Sequence, residues 1–346
     1  MITPDFPTEL GRLAEIPRAQ LVTCRTPLEP MPRLSEYCNG AQLLVKRDDC
    51  TGLAFGGNKA RQLEFYLGEA CAENADTLLI TGAVQSNFVR TAAAGARKLG
   101  MECHIQQEER VSTKDSFYRE SGNVFLNKLL GATLHPFPHG EDESGADRQI
   151  EKLAADLRNA GRKPYIIHLA PGHPPLGALG YVVAAKEILN QIDENGLIVD
   201  EIFVGSGSGA THGGLLFGLR ALGSSISVTG VCVRRQVELQ KVRISETCDG
   251  VASLLDVESK VVPDDIKLTD SFLAPGYGLP GPATLDAIVL GARTEGLMLD
   301  PVYTGKAFAA LVDHAKTAQK ESTLLFIHTG GSPTIFAYQD TIGAAF

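Results

Sequence analysis

Glu201-Ile202-Phe203-Val204-Gly205-Ser206-Gly207-Ser208-Gly209-Ala210-Thr211 is the stretch whose reading decides the fold. It begins as a short buried strand, Glu201 to Val204, passes into a loop of small residues, and leads to a helical pattern from Gly214 to Leu222. Strand, glycine loop and helix in that order make a phosphate cradle. Small residues leave backbone N–H groups free to point inward, and the helix start favours negative charge. The loop lacks the Gly-Lys-Ser/Thr ending of a nucleoside triphosphate loop. Its spacing also departs from the dinucleotide fingerprint, with no acidic residue at the usual distance beyond.

Outward from this unit, short apolar runs alternate with longer helical patterns, which predicts parallel α/β sheets. Thr77 to Thr81 reads as a buried strand, Ser86 to Leu99 as an Ala-rich helix and Glu102 to Ile105 as the next strand. A second such unit runs from the helical Asn123–Leu130 through Thr133-Leu134 and the amphipathic Gly145–Asn159 to Tyr165-Ile166-Ile167. The acidic stretch His139 to Gly145 reads as a solvated loop. A break near residue 174 precedes a long helix from Leu176 to Gln191, and Leu324 to Ile327 forms the last strand. Val237 to Asp270 reads as a helix followed by an irregular excursion.

The chain has 346 residues, 44% hydrophobic and 21% charged, enough for two α/β lobes and too apolar for disorder. Its net charge of −9 gives no electrostatic reason to expect a nucleic acid or an acidic membrane as partner. The seven cysteines contain no CxxC and no Cys/His spacing suited to zinc, so no metal is expected. Reduced thiols, the absence of an apolar leader and the lack of a membrane-length apolar run predict a cytoplasmic enzyme.

Three further segments carry chemistry. Phe55-Gly56-Gly57-Asn58-Lys59 places a lysine after two glycines at a helix start, where burial can turn an ammonium into a carbonyl-trapping amine. Thr81 to Arg90 is a strand end followed by a capped helix; its first-turn N–H groups suit a carboxylate, and Asn87 offers an amide to a ring oxygen. Tyr277 and Tyr303 each sit in a Pro/Gly turn, and His328-Thr329-Gly330-Gly331 ends the last strand. His328 reads as a satisfied buried histidine.

Together these residues resemble the pyridoxal-phosphate enzymes of fold type II, in the branch of D-cysteine desulfhydrase and 1-aminocyclopropane-1-carboxylate deaminase. The resemblance runs through Thr26-Pro27-Leu28, Lys46-Arg47-Asp48-Asp49, Gly56-Gly57-Asn58-Lys59, Gln85-Ser86-Asn87, Leu176 to Tyr181 and His328-Thr329-Gly330-Gly331. It implies a two-domain α/β fold like the tryptophan synthase β subunit, each domain a mostly parallel sheet flanked by helices. Residues 1–55 and 175–346 would form the large cofactor-binding domain and 56–174 the small one. Lys59 would bind pyridoxal 5′-phosphate covalently. Ser206, Gly207, Ser208, Gly209, Ala210 and Thr211 would hold its phosphate, with Asn58, Asn87, Thr304 and Thr329 also on the cofactor. Ser86, Asn87, Phe88, His173, Tyr277 and Tyr303 would meet the substrate, and Lys59, Tyr277 and Tyr303 would be catalytic.

The resemblance further implies β-elimination from a small amino acid in a homodimer, with D-cysteine first among candidate substrates. A cysteate sulfo-lyase, a cyclopropane deaminase, a racemase and an inactive cofactor-binding protein are the rivals. Thr304 stands where the cyclopropane deaminases have glutamate. Two departures bear on substrate: Phe88 stands where the branch has histidine, and Pro171-Gly172-His173-Pro174-Pro175 replaces a short Gly-Gly-Ser-like turn.

Overall fold

The computed structural model describes residues 6–38, 40–113, 115–170 and 172–346. Ten strands are present among them: β1 Leu28–Pro30, β2 Gln42–Lys46, β3 Thr77–Ala83, β4 Glu102–Glu108, β5 Thr133–Phe137, β6 Pro164–Ile167, β7 Glu201–Ser206, β8 Ser227–Cys232, β9 Lys267–Thr269 and β10 Thr323–Ile327. They form two sheets, one ordered β1-β2-β10-β7-β8-β9 and the other β5-β4-β3-β6. Only β1 runs antiparallel; every other pairing of these strands is parallel.

The strands that read as unbroken apolar runs are the ones covered on both faces. Thr323–Ile327 and Thr77–Ala83 are buried at every position, as helices on both sides of a parallel sheet require. One core lies between the larger sheet and the helices Leu179–Glu194 and Ala210–Ala221, another between its opposite face and Thr304–Ala315, and a third covers the smaller sheet. Each fully buried Leu, Val, Ile or Phe side chain contributes about 1.5–3 kcal/mol.

The helix Lys59–Ala72 packs against both Asn87–Lys98 and Leu179–Glu194, so it touches the cores of both sheets. Its approach to the latter depends on Gly180, where a Cβ would lie 2.2 Å from the Arg61 carbonyl oxygen. A buried charge cluster then pins its first turn. Arg61 donates to Asp48 (2.9 and 3.0 Å) and to both oxygens of Glu187 (2.9 Å each), while Lys46 pairs with Glu187 at 2.5 Å and Tyr181 donates to Asp48 at 2.6 Å. Two cations face two carboxylates, so the cluster is balanced, and removing one member would cost about 3–5 kcal/mol. This gives the Lys46-Arg47-Asp48-Asp49 segment a structural role: it fixes the helix that presents Lys59.

The acidic stretch 139–145 is largely the exposed loop expected of it as far as Asp142, but its end departs from that reading. Glu143 opens the helix Glu143–Asn159 and pairs with Arg234 (2.8 Å) and Arg235 (2.5 Å), and Glu141 pairs with Arg234 at 3.2 Å. These contacts tie the smaller sheet's surroundings to the loop after β8.

Candidate active site

The C-terminal ends of β3, β4, β6, β7 and β10 open on one cavity of about 620 Å³, lined by residues that follow those strands in both sheets. Convergence at the carboxyl ends of parallel strands is where α/β proteins collect ligands.

Lys59 is the first residue of its helix, and its amine faces the cavity with Gln62 Oε1 3.4 Å away. The side chain is partly buried. Burial therefore pushes the ammonium pKa down from 10.5 to about 8, so a usable fraction of neutral amine exists near pH 7. The Phe88 ring centroid lies 5.6 Å from Nζ.

The glycine loop opposite is oriented by its carbonyls. Gln240 and Arg235 donate to the Gly207 carbonyl (3.0 and 3.3 Å), and Arg243 donates to that of Ser208 at 3.2 Å. These contacts occupy the loop's carbonyl oxygens, while the N–H groups of Ser208 and Gly209, both of which line the cavity, have no backbone acceptor among the described residues and are free for a ligand. Gly209, at φ 102°, then starts the helix Ala210–Ala221 with no side-chain cap, leaving that helix's first N–H groups to a ligand. Thr211 completes the cradle. Its hydroxyl accepts from Asn58 Nδ2 and from Gln62 Nε2, both at 2.8 Å, so both lone pairs are occupied and its proton must be donated elsewhere. Ser206 departs from the cofactor-binding role expected of it. Its hydroxyl lies behind the loop, accepting from Gln240 at 2.9 Å and sitting 3.1 Å from Nδ1 of buried His212, and it does not line the cavity.

The helix Asn87–Lys98 repeats this logic with a smaller anion site. Ser86 caps it and accepts from the N–H groups of Phe88 (3.2 Å) and Val89 (3.4 Å). Those N–H groups are therefore engaged, contrary to the expectation that they receive a carboxylate. The turn presents instead the Asn87 N–H and the Ser86 hydroxyl proton. The Asn87 side-chain oxygen accepts from Asn123 Nδ2 (2.8 Å) and Thr334 (3.3 Å), which aims its amide nitrogen into the cavity as a donor. Phe88 both lines the cavity and packs in the core of the smaller sheet, edge-on to Tyr66 with centroids 6.2 Å apart.

On the far wall, the Tyr277 and Tyr303 hydroxyls lie 3.4 Å apart. Burial, reinforced by Tyr277, holds the Tyr303 phenol well above its usual pKa, so it is a proton donor at neutral pH and a poor base. Lys306 anchors this wall by donating to the carbonyls of Leu273 (2.8 Å) and Gly276 (2.7 Å). Thr304 does not reach the cavity, contrary to expectation. It donates to Asp300 Oδ2 at 2.7 Å, and the Asp300 carboxylate also accepts the N–H groups of Val302, Tyr303 and Thr304. Asp300 takes the place at the wall, and Thr329 and Gly330 line it beside Asp300. His328 is buried and accepts from the Gly330 N–H at 3.2 Å.

His173 sits on the rim, stacked on His168 with centroids 3.9 Å apart and planes 3° apart, and Asp147 lies 3.0 Å from its Nε2. Imidazole lone pairs lie in the ring plane, so two parallel stacked rings cannot both aim at one ion. His168 lies 3.3 Å from Asp147 and 3.2 Å from Glu151, so two imidazoles and two carboxylates cluster at the mouth. Pro171, part of the same turn, lies outside the described residues.

Arg110, Arg234, Arg235 and Arg243 also line the cavity, and sequence reasoning missed all four. Burial, and then the charges of Arg234, Arg243 and Arg110 against the opposing pull of Glu143, lower the Arg235 pKa; these guanidinium groups form one electropositive wall. Their sequence signal is weak because arginines scattered between residues 110 and 243 meet only in space. Asp300 had a signal, an Asp-Pro pair just before a helix start.

A desolvated amine facing a cradle for a phosphate dianion defines the class: an enzyme that holds a phosphorylated carbonyl cofactor through a lysine. The chain belongs to the pyridoxal-phosphate dependent enzymes, whose family pattern matches residues 19–330, and its cofactor is pyridoxal 5′-phosphate. Among curated relatives, the D-cysteine desulfhydrase of Salmonella typhi is 41% identical over 95% of this chain and 98% of its own length. That of Salmonella choleraesuis is 42% identical with the same coverage. A solved structure of an ACC deaminase homologue superposes with a TM-score of 0.88 at 35% identity, over 99% of this chain and 100% of that one. A solved threonine deaminase shares the fold, with a TM-score of 0.61 at 21% identity over 89% of this chain and 92% of its own. The residues present fit the group: free N–H groups and the Thr211 proton suit its phosphate, the Asn87 amide its ring oxygen, and Lys59 its carbonyl.

Proposed function

We propose that this enzyme is a lyase that removes a β-substituent from a small amino acid and releases a keto acid and ammonia. D-cysteine, giving pyruvate, sulfide and ammonia, is the substrate that the relatives' name supports. The observation that carries the reading is the placement of the Lys59 amine between two separate anion sites, the Gly207–Thr211 loop and the Ser86-Asn87 turn. One suits the cofactor phosphate and the other the substrate carboxylate. When bound, the cofactor supplies an electron sink for the carbon that loses its proton.

The protein's own groups do the rest. Ser86 and Asn87 fix the carboxylate, which orients the Cα–H bond toward Lys59. The Lys59 amine takes the proton. Tyr303, held protonated, donates toward a thiolate leaving from Cβ, with Tyr277 positioned by the loop that Lys306 anchors. Phe88 walls the carboxylate side against water.

The same reading divides the chain at about residues 56 and 174, which is supported by all strands of the smaller sheet lying between residues 77 and 167. It carries a cytoplasmic location, in keeping with seven free cysteines, and a homodimer. Phe125, Leu129 and Phe336 are exposed on two helices that pack together, a patch suited to a second copy. Among the described residues no helix is long and apolar enough to cross a membrane.

The test is direct. Adding D-cysteine to the holoenzyme should alter the bound cofactor's visible absorbance and release pyruvate and sulfide in equal amounts. A spectral change without keto acid would instead mark a binding protein.

A further inference from the structure

Arg110 follows β4 and lines the cavity with its side chain nine-tenths buried. A guanidinium in that position needs partners on both edges to offset its desolvation. One edge is satisfied. Glu108 Oε2 accepts Nε at 2.8 Å and lies 2.5 Å from Nη2, while the other Glu108 oxygen is held by Thr81 at 2.5 Å. The Nη1 edge is not engaged by that carboxylate.

Arg110 lines the same cavity as Tyr277 and Tyr303, whose hydroxyls lie 3.4 Å apart on the wall that the lyase reading gives to the β-substituent, and its charge acts on both phenols. The cofactor phosphate has its own cradle, and the substrate carboxylate has the Ser86-Asn87 turn. Neither supplies an anion for Arg110. Arg234 and Arg235 line the same cavity, whereas their carboxylate partners Glu141 and Glu143 do not, Glu141 being 74% exposed. In a chain of net charge −9, this concentration of cations is local.

We propose that Arg110 is a specificity-determining residue that receives an anionic β-substituent, so that the preferred substrate class is three-carbon amino acids carrying an oxyanionic group on Cβ, with a sulfonate as the specific case. This rests on the lyase reading and deepens it. A thiol would leave the Nη1 edge without a partner, whereas a tetrahedral oxyanion offers the fork geometry guanidinium binds best. A sulfonate also leaves without acid assistance. The Cα proton goes to Lys59, the Cβ–S bond breaks with its electron pair on sulfur, and sulfite departs. Water then converts the released aminoacrylate to pyruvate and ammonium, with no oxidant or reductant required.

The experiment uses the holoenzyme with D- and L-cysteate, O-phosphoserine and D-cysteine, and titrates 3-sulfopropanoate, which lacks an amine and so reports the anion site without turnover. Arg110→Gln, Arg110→Lys and the double variant Glu108→Gln/Arg110→Gln are compared. The double variant removes both buried charges, so it keeps the test alive should the single variant unfold. Wild type should release sulfite and pyruvate in equal amounts from cysteate and show competition by 3-sulfopropanoate. Removing the guanidinium should lower the ratio of kcat/KM for cysteate over that for D-cysteine by roughly 30- to 100-fold. The affinity for 3-sulfopropanoate should fall in step, with Arg110→Lys intermediate. Turnover of O-phosphoserine in preference to cysteate would overturn the sulfonate assignment. Turnover of D-cysteine with neither cleavage nor binding of the sulfonates would overturn the inference and leave the lyase reading standing. An equal fall for both substrates would make Arg110 a structural residue. Keto acid from none of the substrates would remove the lyase reading, and the inference with it.

Discussion

Replacing Thr211 by valine deletes one oxygen and keeps the shape. In the wild type that oxygen accepts two amide donors at 2.8 Å each, and its own proton is turned toward the cavity. Losing one hydrogen bond to a phosphate dianion costs about 1.5–3 kcal/mol, which weakens cofactor binding by roughly 10- to 150-fold. The apoenzyme suffers separately. Asn58 and Gln62 are 7% and 2% exposed, and each would keep a buried donor with no acceptor. That costs about 1–3 kcal/mol apiece and should lower the apoenzyme's melting temperature by about 3–8 °C. The assay is equilibrium titration of apoenzyme with pyridoxal 5′-phosphate, read by visible absorbance, beside melting curves with and without cofactor. Thr211→Ser keeps the hydroxyl and should restore most of the affinity. If the valine variant binds cofactor as tightly as wild type, the hydroxyl does not reach the phosphate; if serine is as weak as valine, the methyl group matters and the proton-donation reasoning fails.

Because burial lowers the Lys59 pKa to about 8, the rate of apoenzyme reconstitution should rise about tenfold per pH unit below that value and level off above it; a rise continuing to pH 10 would contradict a desolvated amine. Lys306→Met should free the carbonyls of Leu273 and Gly276, loosen the Tyr277 loop and lower kcat/KM by about tenfold with cofactor affinity unchanged, a loss of about 1.4 kcal/mol of positioning; equal loss of cofactor binding would show that the loop is not what Lys306 holds. Phe88→His should improve D-cysteine turnover relative to the preferred substrate by about tenfold, through a polar contact beside the carboxylate turn. An unaltered ratio in a folded variant would assign Phe88 to packing against Tyr66.

Legibility of this fold in the sequence follows the physics of each signal. The parallel strands β3, β7 and β10 were readable because each has a buried apolar run at its centre, Leu78-Leu79-Ile80, Ile202-Phe203-Val204 and Leu324 to Ile327. The short edge strands β1 and β9 carried no such run, and β2 and β8 are flanked by charged or polar residues that mask theirs. At the site, Lys59, Asn87 and Thr211 were visible because each follows a strand or turn signal at a helix start. Ser206 and Thr304 carry the right residue types in the right segments, yet local hydrogen bonds to His212, Gln240 and Asp300 draw their hydroxyls away from the cavity. Side-chain direction in a loop is set by such partners, which sequence order does not reveal. The arginine wall and the Glu143 pairs needed both sheets in place before they could be seen.

The central claim is that Lys59 is the amine that holds the cofactor. Borohydride reduction of the holoenzyme, followed by proteolysis and mass mapping, tests it in one measurement. The reduced cofactor should be found on the peptide carrying Lys59 alone, and Lys59→Ala should keep the fold but carry no label. Label on Lys46, which is buried against Glu187, or on Lys306, which holds the Tyr277 loop, would contradict the account.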